Sequence, residues 1–329
     1  MAGIALVVAI GALGLETNPA SARRHPAPTA TPATPVPTPV PTATPLSEAI
    51  RLERLPAALD AIAAAAPGRL GISVYDLYRS SRIAVRGSES FPLASVFKIA
   101  VAVAVYRMAD QRKLDLNDRV LVTAADLRHG TSAIAEAHPR GNATYTYWQL
   151  IRSMLVDGDN TACDYLLRVA GGPSAVQQLM GRLSFGGLKI RKSEADLYAD
   201  ERAHRTFARG GDNAGTPDDV ANLLAAIVTQ RAMLLDSTHE MMLDLSDDRT
   251  GPSRFLAGIP TTASLAHETG SSAALGGVTD ATNDAGIITL PDGRRVILVA
   301  FLYASHADEA TRDGVLAKVA QTVYDAYAP

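Results

Sequence analysis

Strand-like segments at both ends of the chain, with helical segments between them, constrain this fold more than any other feature. Near the start, Leu70, Ile72 and Val74 alternate with Gly71 and Ser73, the period-two pattern of a strand. Ile83 to Val85 reads as its hairpin partner. Near the end, Leu265 to Glu268, Gly286 to Leu290 and Val296 to Tyr303 are apolar or alternating runs, and Pro291-Asp292-Gly293 marks a turn between the last two. Ala94 to Met108 is Ala/Val-rich and long enough for a buried helix. Leu114 to Met242 reads as helices with long loops, most clearly at Trp148 to Val156, Thr161 to Val169 and Asp218 to Ile227. Ser47 to Ala65 is a further helix with Ile50, Leu52, Leu55, Leu59 and Ile62 as apolar positions, disturbed at Pro56 and ended by Pro67-Gly68. Arg312 to Tyr327 closes the chain as a helix. This order predicts a mixed α/β (α+β) fold: an antiparallel sheet with flanking terminal helices, plus an inserted all-helical lobe.

The folded domain is expected over residues 46–329. Residues 1–22 read as a signal-peptide-like segment. Ala2 to Leu15 is uncharged and apolar but short for a membrane span, and Ala20-Ser21-Ala22 supplies the small-x-small pattern of a cleavage site, although no basic residues precede the run. Residues 23–45 form a Pro/Thr-rich linker. Its alternate prolines exclude helix and sheet interior, leaving an extended spacer of roughly 60 Å. The expectation is a secreted protein, periplasmic or extracellular, which the N-terminal segment holds near a membrane or wall if it stays uncleaved. No internal repeat is evident.

Composition removes several functions. The net charge of −3 and the lack of any Lys/Arg-rich run argue against nucleic-acid binding. The single cysteine, Cys163, excludes an intrachain disulfide and a cysteine-rich metal site, and its helical context reads as a small buried hydrophobe. His239-Glu240-Met241-Met242-Leu243 opens like a zincin motif but lacks the second histidine. No metal site, nucleotide loop or cofactor is expected. The other histidines read as structural or solvent-facing; His267 is placed at the border of the cleft, with no proton-transfer partner visible in sequence.

Three short elements bear chemistry. In Phe91-Pro92-Leu93-Ala94-Ser95-Val96-Phe97-Lys98, the serine and lysine share one helical face. An amine whose pKa is lowered by burial is a base for an otherwise poor serine nucleophile. Asp157-Gly158-Asp159-Asn160 precedes a helix, and taken alone it is an N-cap at Asp159 or Asn160. His267-Glu268-Thr269-Gly270-Ser271 ends a strand and taken alone is only a lead into a turn.

Together, in this order, these elements resemble the class A serine β-lactamases, whose signature is Ser-x-x-Lys, Ser-Asp-Asn and Lys-Thr-Gly. The resemblance runs from about Leu46 to the C-terminus and is closest to the extended-spectrum branch. Ser193-Glu194-Ala195-Asp196-Leu197-Tyr198-Ala199-Asp200 looks like the family's active-site loop, and Thr282 to Pro291 like the strand after Lys-Thr-Gly. The resemblance implies Ser95 as nucleophile, an oxyanion hole from the N–H groups of Ser95 and Ser271, and Lys98 or Glu194 as base. It also implies Asn160 as a contact for the acylamino side chain, Thr269 and Gly270 as substrate-binding positions, and Glu194 as activator of the deacylating water.

Two motif positions depart from the family. Gly158 stands where a serine relays a proton, leaving a gap for water. Glu268 stands where a lysine binds the substrate carboxylate; it would have to stay protonated or pair with Lys98, which would keep Lys98 charged. Three further positions differ. Ala285 lies where some members place an arginine, Tyr198 replaces an asparagine that helps hold the deacylating water, and Thr131 replaces an aromatic residue at the cleft mouth. The implied function is a monomeric hydrolase that opens small-molecule β-lactams, weakly or over a shifted substrate range. The alternatives are a catalytically impaired binding or sensor module for β-lactams or wall peptides, and an esterase or peptidase on the same fold.

Overall fold

A strand whose two faces are both apolar needs cover on both sides, and this fold supplies it. The computed structural model describes residues 47–205 and 213–328; the signal-like segment and the linker lie outside the described residues. Five strands, β1 (Arg69–Asp76), β2 (Ser81–Val85), β3 (Ser264–Ser271), β4 (Thr282–Thr289) and β5 (Arg295–Tyr303), form an antiparallel sheet in the order β2-β1-β5-β4-β3. The expected hairpins and the pairing of the two chain ends are both present. The turn at Pro291-Asp292-Gly293 has Gly293 at φ +86°, the left-handed conformation that glycine adopts without a Cβ penalty.

The period of two in β5 sorts its side chains. Val296, Leu298, Ala300 and Leu302 face α1 (Glu48–Ala65) and the C-terminal helix, while Ile297, Val299 and Phe301 join the core of the helical lobe. Helix α1 runs through Pro56, which lies on its exposed face, where water can take the carbonyl left without an amide partner. Leu59 on the opposite face is fully buried. Leu59→Ala is expected to cost about 2–5 kcal/mol through lost burial and the cavity left behind. Thermal melting would read this as a Tm several degrees lower.

The lobe is built from α2 (Lys98–Asp110), α3 (Tyr147–Val156), α4 (Asn160–Val169), α5 (Gly172–Arg182), α6 (Glu194–Arg202), α7 (Pro217–Val228) and α8 (Leu235–Ser246). After it come the one-turn α9 (Phe255–Gly258) and the closing α10 (Glu309–Tyr327). Helix α2 is buried from Lys98 to Tyr106, so it runs through the centre of the lobe. Its alternating valines are indifferent helix formers, and packing overrides that weak preference.

Two expectations need correction. The segment from Leu114 to Met242 is not all helical. Arg119–Thr123 and Gly141–Thr146 pair as a short antiparallel ladder, consistent with their β-branched and aromatic residues. The Ser193-to-Asp200 segment is a helix rather than a loop: Ser193 and Asp196 form a reciprocal capping box that starts α6.

Candidate active site

The nucleophile candidate is set by backbone strain. Ala94 has φ +45°, a sparsely populated conformation for a residue with a Cβ, and Ser95 follows it in the tight turn Ala94–Phe97 that leads into α2. The surroundings hold that turn firmly. Asn283 on β4 donates from Nδ2 to the Pro92 carbonyl at 2.7 Å and the Leu93 carbonyl at 3.1 Å, and the Leu93 amide bonds the Asn213 carbonyl. Strand β3 passes so close that a Cβ on Gly270 would lie 2.6 Å from the Leu93 oxygen, which explains the glycine at that motif position.

Lys98, one turn on, is 1 % exposed. Its ammonium donates to the Gly158 carbonyl at 2.7 Å and to Asn160 Oδ1 at 2.9 Å, and lies 3.4 Å from Glu194 Oε1. At 3.4 Å the Glu194 contact is electrostatic rather than an aligned hydrogen bond, and that oxygen has no hydrogen-bond partner. Here the structure corrects an expectation. Burial alone would lower the Lys98 pKa, but the Glu194 carboxylate beside it holds it above the ordinary lysine value.

Glu194 is the first residue of α6. Asp164 accepts its amide at 2.7 Å and that of Ala195 at 3.1 Å, placing a carboxylate on the helix N-terminus, where the dipole favours it. Asp164 in turn pairs with Arg128 at 2.5 Å. Burial pushes Glu194 above the usual carboxylate range, against the pull of Lys98 and helped by Asp164. Asp159 is the N-cap of α4, accepting the Ala162 amide, and the next residue, Asn160, turns into the cleft. The motif thus caps the helix with one residue and lines the cleft with the next.

The far wall is β3. Ser95, Gly158, Asn160, Glu194, Glu268, Thr269 and Ser271 all line one cleft of about 410 Å³; Lys98 lies beneath its floor and Gly270 backs the serine turn. Glu268 is 1 % exposed, and its Oε2 has no hydrogen-bond partner. Burial pushes this carboxyl well above the usual range, as do Asp248, Glu194 and Asp284, with only Lys98 opposing. Of the two escapes the sequence leaves open, protonation fits the structure; among the described residues the only ion pair of Lys98 is with Glu194. Thr269 shares a 2.5 Å hydroxyl–hydroxyl contact with Thr250, and the Ser271 hydroxyl accepts from Arg254 at 2.6 Å. Tyr198 stacks on His129 at 5.0 Å along the mouth, and Thr131 lies at the same rim.

His267 does not border the cleft. It is buried with Nδ1 2.9 Å from Asp284 and Nε2 3.9 Å from Asp248, so it has the carboxylate partners that sequence could not supply. Ala285 is fully buried in the core of the helical lobe. Three contributors were not anticipated. Asp164 follows Asn160 by four residues, and this one-turn spacing was the signal available. Thr250 and Arg254 sit in a segment with no motif. Arg254 is 4 % exposed, pairs with Asp313 at 2.8 Å, and donates to the Gly270 and Asn283 carbonyls.

Gly158 has φ +67°, and a Cβ there would meet the Thr250 methyl at 3.2 Å. The gap left by the missing serine is therefore partly filled by Thr250. Gly158→Ser is expected to destabilise by about 1–2 kcal/mol, the cost of left-handed backbone in a residue with a Cβ. A melting temperature equal to that of the parent would contradict this.

A model of the β-lactamase enzyme family matches residues 54–327. The extended-spectrum β-lactamase PER-1 of Pseudomonas aeruginosa is 31 % identical over 257 residues, covering 78 % of this chain and 81 % of that protein. The solved β-lactamase of Chitinophaga pinensis DSM 2588 superposes with a TM-score of 0.77 at 30 % identity, covering 84 % of this chain and 99 % of that one. An ancestral class A β-lactamase superposes with a TM-score of 0.75 at 28 % identity, over 83 % of this chain and 99 % of that one. The chain belongs to the β-lactamase enzyme family, with the architecture of its class A members.

Proposed function

We propose that this protein hydrolyses β-lactams through an acyl-enzyme on Ser95. The observation that carries this reading is the convergence of Ser95, on its strained turn, and Glu194 in one cleft with Lys98 directly beneath its floor. The two candidate bases are not equivalent here. Lys98 is held as an ammonium by its carboxylate neighbour, whereas Glu194 keeps a buried oxygen with no hydrogen-bond donor. A raised carboxylate pKa also makes Glu194 a stronger base. Glu194 therefore takes the serine proton, through a water, as Oγ attacks the ring carbonyl.

The oxyanion that forms is met by the amides of Ser95 and Ser271. Collapse breaks the ring C–N bond, and its electron pair goes to nitrogen. With no hydroxyl at Gly158, the nitrogen takes its proton from the Lys98 ammonium, which Glu194 then reprotonates. Glu194, again a carboxylate, activates the water that releases the product. Asn160 meets the acylamino side chain. The test is turnover of a chromogenic cephalosporin beside the Ser95→Ala variant, with intact mass recorded for both. Neither turnover nor a covalent adduct on the parent protein would overturn the reading.

A further inference from the structure

The cleft contains a buried acid with nothing to bond to. Glu268 lines the cleft, yet its Oε2 is enclosed with no hydrogen-bond partner and, among the described residues, it has no ion pair. The groups facing it come from every neighbouring element. Asp284 on β4, Glu194 at the start of α6, Lys98 at the start of α2 and Asp248 in the segment after α8 all act on it, while His267, the preceding residue on β3, is bonded to Asp284. The cations are already engaged: Lys98 by Gly158, Asn160 and Glu194, His267 by Asp284, and Arg254 by Asp313 and two carbonyls. Three other carboxylates, Glu194, Asp248 and Asp284, crowd the same volume. Asp248 is itself pushed up to about 6 by burial.

We propose that Glu268 meets the substrate as a neutral carboxylic acid, donating its O–H to the carboxylate beside the β-lactam nitrogen. It would replace an ammonium by a neutral donor, so the anion is met by hydrogen bonds and not by an opposing charge. The rest of the wall suits that task. Thr269 and Thr250 share one hydrogen bond between two hydroxyls, which leaves one proton to give outward, and Ser271 receives Arg254 and keeps its own proton free. A hydrogen bond from a neutral acid to a carboxylate is charge-assisted and stronger than a neutral pair. This inference rests on the β-lactamase reading and names the device by which that site holds an anionic ring.

The sign of the pH dependence is distinctive. The donor exists while Glu268 is protonated and is lost as pH rises through its raised pKa. Affinity for anionic substrates therefore falls towards alkaline pH. The test compares KM and kcat from mildly acidic to alkaline pH for a cephalosporin and its methyl ester, on the parent protein and Glu268→Gln. In the parent, KM for the acid should rise by up to about tenfold per pH unit above the Glu268 pKa, while KM for the ester stays level. In Glu268→Gln, whose amide donates at every pH but more weakly than an acid O–H, both profiles should be level and KM for the acid at neutral pH should be a few-fold above that of the parent.

If Glu268 were ionised at neutral pH, Glu268→Gln would instead improve KM for the acid by about tenfold or more by removing a repulsion, and the proposal would fail. Infrared difference spectra of resting parent against Glu268→Gln should show the C=O stretch of a protonated carboxylic acid, and its absence also overturns the proposal. Loss of turnover and adduct formation in every protein, the parent included, would remove the hydrolase reading itself. The infrared band reports Glu268 without reference to turnover, so the two failures are separable.

Discussion

Ser95→Ala is expected to abolish β-lactam turnover, by roughly 10⁴-fold or more, and to leave no covalent adduct in the intact mass. The size of the effect follows from what is removed. Without Oγ there is no nucleophile to form the acyl-enzyme, and the base that would have accepted its proton has no role in acylation. The fold should be untouched. Ser95 is half-buried, its turn is held by Asn283 through the carbonyls of Pro92 and Leu93, and alanine occupies the same backbone conformation. Melting temperature and binding of uncleaved substrate should therefore stay close to the parent. Residual turnover within tenfold of the parent would show that Ser95 is not the nucleophile.

Glu194→Gln is expected to separate the two halves of the reaction. Acylation should slow but still occur, whereas release of the acyl group should fall by about 10²–10⁴, the usual contribution of a positioned general base. A cephalosporin should then give a burst of one equivalent followed by near-silence, with the adduct mass persisting on Ser95. Asp164 keeps its bonds to the backbone amides of residues 194 and 195, so the helix start does not depend on the carboxylate that is lost. If Glu194→Gln turns over as fast as the parent, deacylation runs through another group. If the parent itself holds a stable adduct, the protein is the acylated binding module considered as the alternative.

The sequence announces residues whose role depends on near neighbours. Ser95 and Lys98 are three positions apart, Asn160 opens a helix behind its own cap, and the Thr269-Gly270 pair ends a strand; each is visible in a window of a few residues. The sheet is legible for a similar reason, because period-two runs at both chain ends have to find one another. What stays hidden depends on contacts across the chain. The charge on Lys98 is decided by Glu194, and the seat of Glu194 by Asp164, each from a separate segment. The filling beside Gly158 comes from Thr250, and the support of Ser271 from Arg254. Burial by itself points to a lowered lysine pKa, and the carboxylate that enters from α6 reverses it.

The pairing of β1 with β5 also fixes an order of manufacture. The register joins Arg69 to Tyr303 and Asp76 to Val296, so a strand made early waits for one made almost last. During synthesis the segment from α2 to α8, with its short ladder at 119–146, can collapse around the α2 core while β1 has only α1 and β2 for company. Leu70, Ile72 and Val74 and one open backbone edge stay without their final cover until β5 and α10 arrive. Such non-local closure is slow and leaves apolar surface and strand edge available to other chains meanwhile. The nascent protein is thus most vulnerable to aggregation in the interval before its last strand is complete, and a chaperone that shields β1 would act there.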